Sequence, residues 1–334
     1  MPEGEDITRR VTIYDVARAA GVSASTVSRA FARPGRVSSA TAERIHRVAE
    51  ELGYRSAEVY RPASQGSHTR VIGLAVSDIT NPFYFGIIRG AERAAATADF
   101  TLMVGDAHES SEAERRMLER HLPLVDGMII TSSRLSDQDL RSIARRLPVV
   151  VLNRKVAGLP CVVPDNPRGI RRAVEHLASL GHHKIGYVAG PEASWADGMR
   201  WRAVRESTLE LGLDDARIGP VHPTVSGGRG AARRVVEQGL TAVIAYNDLL
   251  GVGLLRGLED LGVDVPGQVS VVGFDNTMAA ELVGLTTVAS PAVLLGETAV
   301  LYVANLVNRT AQSRDALSVL PVRLVTRTST GPRR

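Results

Sequence analysis

From Val71 onward the chain alternates short apolar runs with longer amphipathic stretches, a pattern that few folds accommodate. The runs are Val71–Ala75, Thr101–Val104, Gly127–Ile130, Val149–Leu152, Ile185–Val188, Ala242–Ala245 and Val269–Phe274. Between them, helical spacing extends over Phe85–Ala96, Glu112–His121, Gln138–Arg146, Gly169–Leu180, Arg202–Leu211, Gly230–Glu237 and Leu249–Leu261. Strands alternating with helices imply a parallel sheet with helices on both faces. A stretch of about 260 residues suits two such sheets better than one. The expected fold over 70–331 is therefore α/β, doubly wound and two-lobed. Such folds bind ligands beyond the carboxyl ends of their strands.

Hydrophobic residues at 44% and charged residues at 23% supply a core and exclude wholesale disorder. No apolar run approaches the ~20 residues of a membrane span, so no membrane partner is expected. Cys161 is the only cysteine, which excludes an internal disulfide framework and a Cys-rich metal site. It is expected to pack as a small hydrophobe. Met1–Asp6 is acidic and polar, unlike a secretory signal, so a cytoplasmic protein is expected.

The net charge of +4 is unevenly spread. Arg9 to Arg47 contains eight arginines against Asp15 and Glu43, and the remainder is slightly acidic. A basic head on a near-neutral body fits a polyanion partner for the head alone. Only Lys155 and Lys184 are lysine, however, so arginine is the default cation of this chain. Charge by itself leaves a solvated surface equally open.

Local pattern decides more. Thr12 and Asp15 have capping-box spacing, and Ile13, Val16, Ala17 and Ala20 form one helical face. Gly21 ends that helix, and Ser23 can cap a second from Ala24 to Phe31 with Val27, Ala30 and Phe31 inward. A third, Ser39 to Leu52, repeats the spacing with Ile45, Val48, Ala49 and Leu52. Two short helices about a Gly turn make a helix-turn-helix. The outer face of the second helix carries Ser25, Thr26, Ser28 and Arg29, small hydroxyls and one long donor suited to base edges or phosphates. A plain three-helix bundle is the competing account, disfavoured because capping, spacing and charge agree.

The segment Val11–Arg55, with TIYDVA, AGVS and TVSR, resembles the DNA-binding head of LacI/GalR-type transcriptional regulators. The resemblance implies base readers at Ala24, Ser25 and Arg29. It implies backbone contacts at Thr12, Tyr14, Ser23, Thr26, Ser28, Ser38 and Tyr54. Ala32 departs from the family, where Asn is usual. The family's hinge helix and minor-groove Leu would fall on 56–69, where Tyr60 and Ala63 occupy the two key positions. Pro62 opposes helix there, and Ala63 offers little wedge, so weaker DNA bending is expected. The expected domains are 9–55 (head), 56–69 (linker) and 70–331 (sensor).

In the body, polar residues stand at strand ends: Ser77–Tyr84, Asn153 and Arg154, Asn247 and Asp248, Asp275 and Asn276. Arg200 and Trp201 are expected to open the helix after Gly190. Amides, acids, Arg and rings converging on a cleft suit a small polyhydroxylated ligand. Asn81 and Asp248 could instead cap helices. SDITNPFY, VDGMII, HLASLGHHKIGYVAG and VSVVGFDNT extend the LacI/GalR resemblance to about Thr330. It implies effector contacts at Asn81, Phe83, Arg200, Asn247 and Asp275, with Asp165 and Arg154 as further candidates. Asp275 and Arg200 are expected to face each other across the cleft. The aromatic often found near Pro223 is missing. Without leucine heptads at the C-terminus, a homodimer is expected.

The resemblance thus implies a non-enzymatic, sequence-specific repressor that needs no cofactor. Its implied partners are a pseudo-palindromic operator DNA and a small-molecule effector, a sugar or related polyol. An enzyme is the first rival: Gly227-Gly228-Arg229-Gly230 faintly resembles a dinucleotide loop, but lacks its last Gly and a leading strand. His182-His183 suits structural use better than metal binding. A transported-solute binding protein is the second, opposed by the basic head.

Overall fold

A computed structural model describes residues 11–32, 37–52, 69–308 and 316–333. Tyr54, Tyr60, Pro62 and Ala63 lie outside the described residues. The chain forms two compact units, Met1–Thr69 and Arg70–Arg334, each described by itself.

The first unit contains α1 (Ile13–Ala19), α2 (Ala24–Ala32) and α3 (Ser39–Glu51). The Asp15 carboxylate accepts from Thr12 N at 2.8 Å and Thr12 Oγ1 at 2.6 Å, closing the start of α1. Gly21 adopts φ +63° after the helix, a conformation that costs a glycine nothing. Thr26 N then donates to Ser23 Oγ at 3.1 Å, capping α2. Val16, Ala17, Ala20, Val27, Ala30, Ile45 and Ala49 form the buried core, with Ile13, Phe31 and Val48 against it. Leu52 corrects the expectation: α3 stops at Glu51, the apolar stripe no longer carries the next residue inward, and Leu52 is 38% exposed.

The second unit begins with β1 (Val71–Val76), α4 (Phe83–Thr97), β2 (Thr101–Asp106), α5 (Ser111–His121), β3 (Gly127–Thr131), α6 (Asp137–Ala144), β4 (Val149–Leu152) and β5 (Cys161–Pro164). It continues with α7 (Asn166–Ser179), β6 (Lys184–Val188), α8 (Trp195–Glu210), β7 (Asp214–Ile218), α9 (Val225–Glu237), β8 (Ala242–Ala245), α10 (Asp248–Asp260), β9 (Ser270–Asp275), α11 (Met278–Leu282) and β10 (Thr286–Ala289). It closes with α12 (Ala292–Val307), β11 (Leu317–Leu320) and β12 (Arg323–Val325).

These strands build two six-stranded sheets, ordered β11-β5-β4-β3-β1-β2 and β12-β10-β9-β8-β6-β7. Pairing is parallel except for β12 against β10. Successive side chains of a strand point to opposite faces, and both faces of the first sheet are buried. Ile72, Leu74 and Val76 enter one core with α4 and α12, while Ala75, Met128 and Ile130 enter another with α5 and α6. One larger core, including Tyr187, Val272 and Phe274, fills the second lobe. Among the described residues the chain crosses between the sheets after Pro164, after Ala289 and after Leu320. Three crossings therefore join the two lobes.

The glycines of 227–230 lie in the first turns of α9, not in a phosphate loop. A Cβ on Gly228 would sit 2.2 Å from Leu250 O, and one on Gly253 2.1 Å from Val225 O. They let the backbones of α9 and α10 touch. His182 is buried, its ring bonded to Thr241 Oγ1, Ser270 Oγ and Gly331 O. Cys161 is a buried free thiol. Among the described residues no His, Cys, Asp and Glu cluster could hold a metal ion. No described helix is long and apolar enough to cross a membrane.

Candidate functional site

The head presents a polar face on α2. Ser25, Ser28 and Arg29 are exposed, while Ala24 and Thr26 are half-buried. Arg29 Nη2 rests 3.3 Å from Ser25 Oγ, one helical turn back, which holds the guanidinium along the face. Ser23 Oγ lies 2.9 Å from Ser25 Oγ and 2.8 Å from Thr26 Oγ1, a chain of hydroxyls at the helix start. The Tyr14 ring on α1 is 68% exposed. Thr12 and Ser38 are exposed too, but their hydroxyls are engaged at helix starts, with Asp15 and with Thr41 Oγ1 respectively. Helix starts present backbone N–H groups and a partial positive charge, which suit phosphate oxygens.

In the second unit, one cavity is lined from both lobes at the carboxyl ends of the strands. Asn81, Phe83, Tyr84, Glu109, Ser132 and Asn153 come from the first lobe. Arg200, Pro223, Tyr246, Asn247 and Asp275 come from the second. The free space between them is about 10 Å³, room for roughly one water. A sugar therefore enters only if the lobes or the lining side chains move.

Arg200 organises the second wall. Its Nε donates to Asn166 Oδ1 at 2.9 Å and its Nη1 to Tyr246 O. Its Nη2 lies 3.6 Å from Asp275 Oδ1, with both side chains buried. The guanidinium stacks 3.5 Å above the Phe274 ring. Asp275 has φ +115°, a region that side chains rarely adopt. Burial pushes its carboxyl well above the usual carboxylate range, Arg200 opposes the rise, and the neighbouring Asp248 adds to it. Ser132 (φ +46°) and Asn153 (φ +63°) line the cavity in left-handed conformations as well. Backbone strain of this kind clusters at functional sites.

Five of the residues expected at the effector site thus come together: Asn81, Phe83, Arg200, Asn247 and Asp275. Two do not. Arg154 turns away, donating to Ser133 O at 3.0 Å, to Leu135 O at 2.7 Å and to Asp137. Its neighbour Asn153 occupies the cavity instead, because consecutive residues leaving a strand diverge. Asp165 caps α7 by accepting from Arg168 N at 3.1 Å, and does not line the cavity. Arg200 and Asp275 do face each other, but both belong to the second lobe, and Arg200 stands in the second turn of α8 rather than at its start. The cap of α10 is Asn247, which accepts from Leu250 N at 3.0 Å. Asp248 instead accepts from Thr277 N and Thr287 Oγ1, both at 2.6 Å. Asn81 is not the cap either: Pro82 holds that position in α4, and Asn81 Oδ1 accepts from Phe83 N at 3.1 Å in the turn before it.

Sequence reasoning missed Tyr84, Glu109, Ser132 and Tyr246. Tyr84 and Tyr246 adjoin residues that it found, and Ser132 follows β3 as Asn153 follows β4. Glu109 lies three residues beyond β2 and carried no signal of its own.

Comparison with known proteins agrees with this architecture. Residues 12–56 match the family described as bacterial regulatory proteins, LacI family, and 174–330 match the periplasmic binding protein-like domain. The transcriptional regulator DegA of Bacillus subtilis is 31% identical over 335 residues, covering 97% of this chain and 99% of DegA. A lac repressor dimer bound to operator and the anti-inducer ONPF superposes with TM-score 0.77 at 27% identity, over 97% of this chain and 100% of that one. The regulator CelR in complex with cellobiose gives TM-score 0.71 at 28% identity, over 96% and 100%. These relatives are transcriptional regulators, not enzymes. The chain belongs to the LacI family of bacterial regulatory proteins.

Proposed function

We propose that this protein is a sequence-specific DNA-binding repressor. It binds a pseudo-palindromic operator as a homodimer and responds to a small neutral sugar or related polyol. The observation that carries the DNA half is the polar face of α2, where Ser25, Ser28 and Arg29 are exposed. A two-turn helix reads few bases, so two heads on a two-fold site supply the specificity. The operator-bound dimer of lac repressor, similar over nearly the whole chain, supports this assembly. The protein acts in the cytoplasm, where the DNA is. Its functional divisions are 9–55, 56–69 and 70–331.

The effector half rests on the cleft. Arg200 can donate to a hydroxyl and Asp275 can accept from one. Asn81 and Asn247 keep their amide N–H groups for further oxygens, because their Oδ1 atoms accept from the backbone, one in a turn and one at the cap of α10. Phe83 adds an apolar wall. The cellobiose complex of CelR supports a sugar as ligand class. A ligand held by both walls favours the closed lobes, and only that preference can shift operator affinity. The test is selection of bound sequences from random duplexes, with and without a panel of sugars. A purified chain that selects no sequence would overturn the proposal.

A further inference from the structure

Arg200 lines the cleft, Arg134 stands behind Glu109, and both are already engaged by protein acceptors. Arg200 has its Nε on Asn166 Oδ1, its Nη1 on Tyr246 O and its Nη2 facing Asp275. Arg134 has its Nη1 on Ser132 O at 3.1 Å and its Nε on Glu109 Oε2 at 2.9 Å, with Nη2 on the same oxygen. Every guanidinium nitrogen already faces a protein acceptor.

The first-lobe edge of the cleft also offers acceptors. Glu109 lines the cavity, and both bonds from Arg134 fall on Oε2, leaving Oε1 without a hydrogen bond among the described residues. Asn153 Oδ1 is buried without a hydrogen-bond partner among the described residues, its amide N–H donating to Ser132 Oγ at 2.7 Å. Among the described residues the Asp275 carboxyl accepts no hydrogen bond, and Arg200 Nη2 lies 3.6 Å from it.

The backbone shows that Glu109 is placed, not incidental. His108 (φ +49°) and Glu109 (φ +54°) are both left-handed without being glycine. Glu109 N is anchored to Ser77 O at 2.6 Å, and His108 N to Asp106 Oδ1 at 3.0 Å. The Arg134 side chain that holds the carboxylate is only 4% exposed. Strained residues persist where their surroundings over-determine them.

We infer that Glu109 is a specificity-determining residue of this cleft. Its free oxygen accepts a hydroxyl from the first-lobe edge of the ligand and rejects sugars carrying a phosphate or carboxylate there. An ionised carboxylate has no donor to offer and repels an anion beside it, while Arg134, the guanidinium next to it, already directs its Nε and Nη2 to the same carboxylate. Arg134 is the positioning residue that fixes which oxygen faces the ligand. The inference deepens the polyol reading above and rests on it.

The test is calorimetry of the full chain and two variants. The probes are D-glucose, D-galactose, D-ribose and cellobiose, with D-glucose 6-phosphate, D-ribose 5-phosphate and D-glucuronate as anionic counterparts. The wild type should bind a neutral member and not its anionic counterpart. Glu109→Gln should lower that neutral affinity roughly 10- to 100-fold, the worth of one hydrogen bond to a charged group, and narrow the discrimination against the anion. Glu109→Asp keeps a carboxylate for Arg134 while withdrawing it from the ligand. It should melt like the wild type yet bind the neutral sugar more weakly, which separates lost contact from lost fold. Unchanged neutral affinity in both variants would overturn the role of Glu109 and leave the polyol reading standing. So would a wild type that prefers a phosphorylated or acidic member. A wild type that binds no probe would overturn the polyol reading and this inference together.

Discussion

Arg200 Nη2 and Asp275 Oδ1 stand 3.6 Å apart on one wall of the cleft, both buried and both carried by the second lobe. The separation exceeds a hydrogen bond, so a ligand hydroxyl lying alongside can contact both groups. The pair does not clamp the lobes together. It offers the ligand a donor and an acceptor from one side, and the first lobe closes on the other. Asp275→Asn keeps the shape and replaces one carboxyl oxygen with an amide donor. The variant should still shift operator duplexes in a mobility assay and lose its response to the effector. An undiminished response would reduce Asp275 to a structural residue.

The contact between α9 and α10 gives a separate check on how 227–230 are used. A Cβ at Gly253 would meet Val225 O at 2.1 Å and Arg229 N at 2.8 Å, both backbone atoms. Gly253→Ala should therefore cost about 1–3 kcal/mol through overpacking. A thermal melt reads this directly. A melting temperature at or above that of the wild type would mean that the helices can separate freely.

Much of this architecture is legible in the sequence, and the parts that are not share physical causes. All seven apolar runs became strands, because a parallel sheet buried on both faces needs unbroken apolar segments. The strand β7, by contrast, reads Asp-Asp-Ala-Arg-Ile, an edge strand with one solvated face and no apolar run. The helix α12 is apolar nearly all round, with Leu294 and Leu301 exposed and Leu295, Val300 and Val303 buried, so its sequence shows no stripe. In the cleft, strand ends located Asn81, Asn247 and Asp275. Composition could not separate Asn153 from Arg154, because φ +63° at Asn153 decides which of the two points inward. Glu109 depends on a partner 25 residues away, Arg134, and no local pattern reports such a pairing.

Arg29 is the only long donor on the exposed face of α2. If it makes a bidentate contact with a base, Arg29→Ala should lose roughly 1–3 kcal/mol per half-site and relax sequence preference at one position. Binding to matched and scrambled duplexes separates this from a phosphate contact, which would weaken both equally.

The charge of the head makes a prediction about salt. Each phosphate neutralised contributes ~0.9 to the logarithmic slope of affinity against salt concentration. Operator affinity should fall steeply between low and physiological ionic strength, and Arg29→Ala should make the slope shallower only if Arg29 meets a phosphate. A salt-insensitive complex would contradict a DNA role for the basic head.

Asp248 links the cleft to pH. Burial pushes its carboxyl up to about 6, against the hydrogen bonds from Thr287 Oγ1 and Thr277 N. In the unfolded chain an aspartate titrates near ~3.9. Between those values the folded protein holds a proton that the unfolded chain has released. Stability then falls as pH rises through this window. The penalty is absent below about pH 4 and complete above the folded value. Asp275 is shifted in the same direction and interacts with Asp248, so the two carboxyls release their protons as a pair. Asp248→Asn cannot ionise, and its amide can still meet Thr277 N and Thr287 Oγ1. Urea unfolding from pH 4 to 7 should show the variant gaining on the wild type as pH rises. A constant difference across that range would mean that Asp248 is ionised throughout and that burial does not govern it.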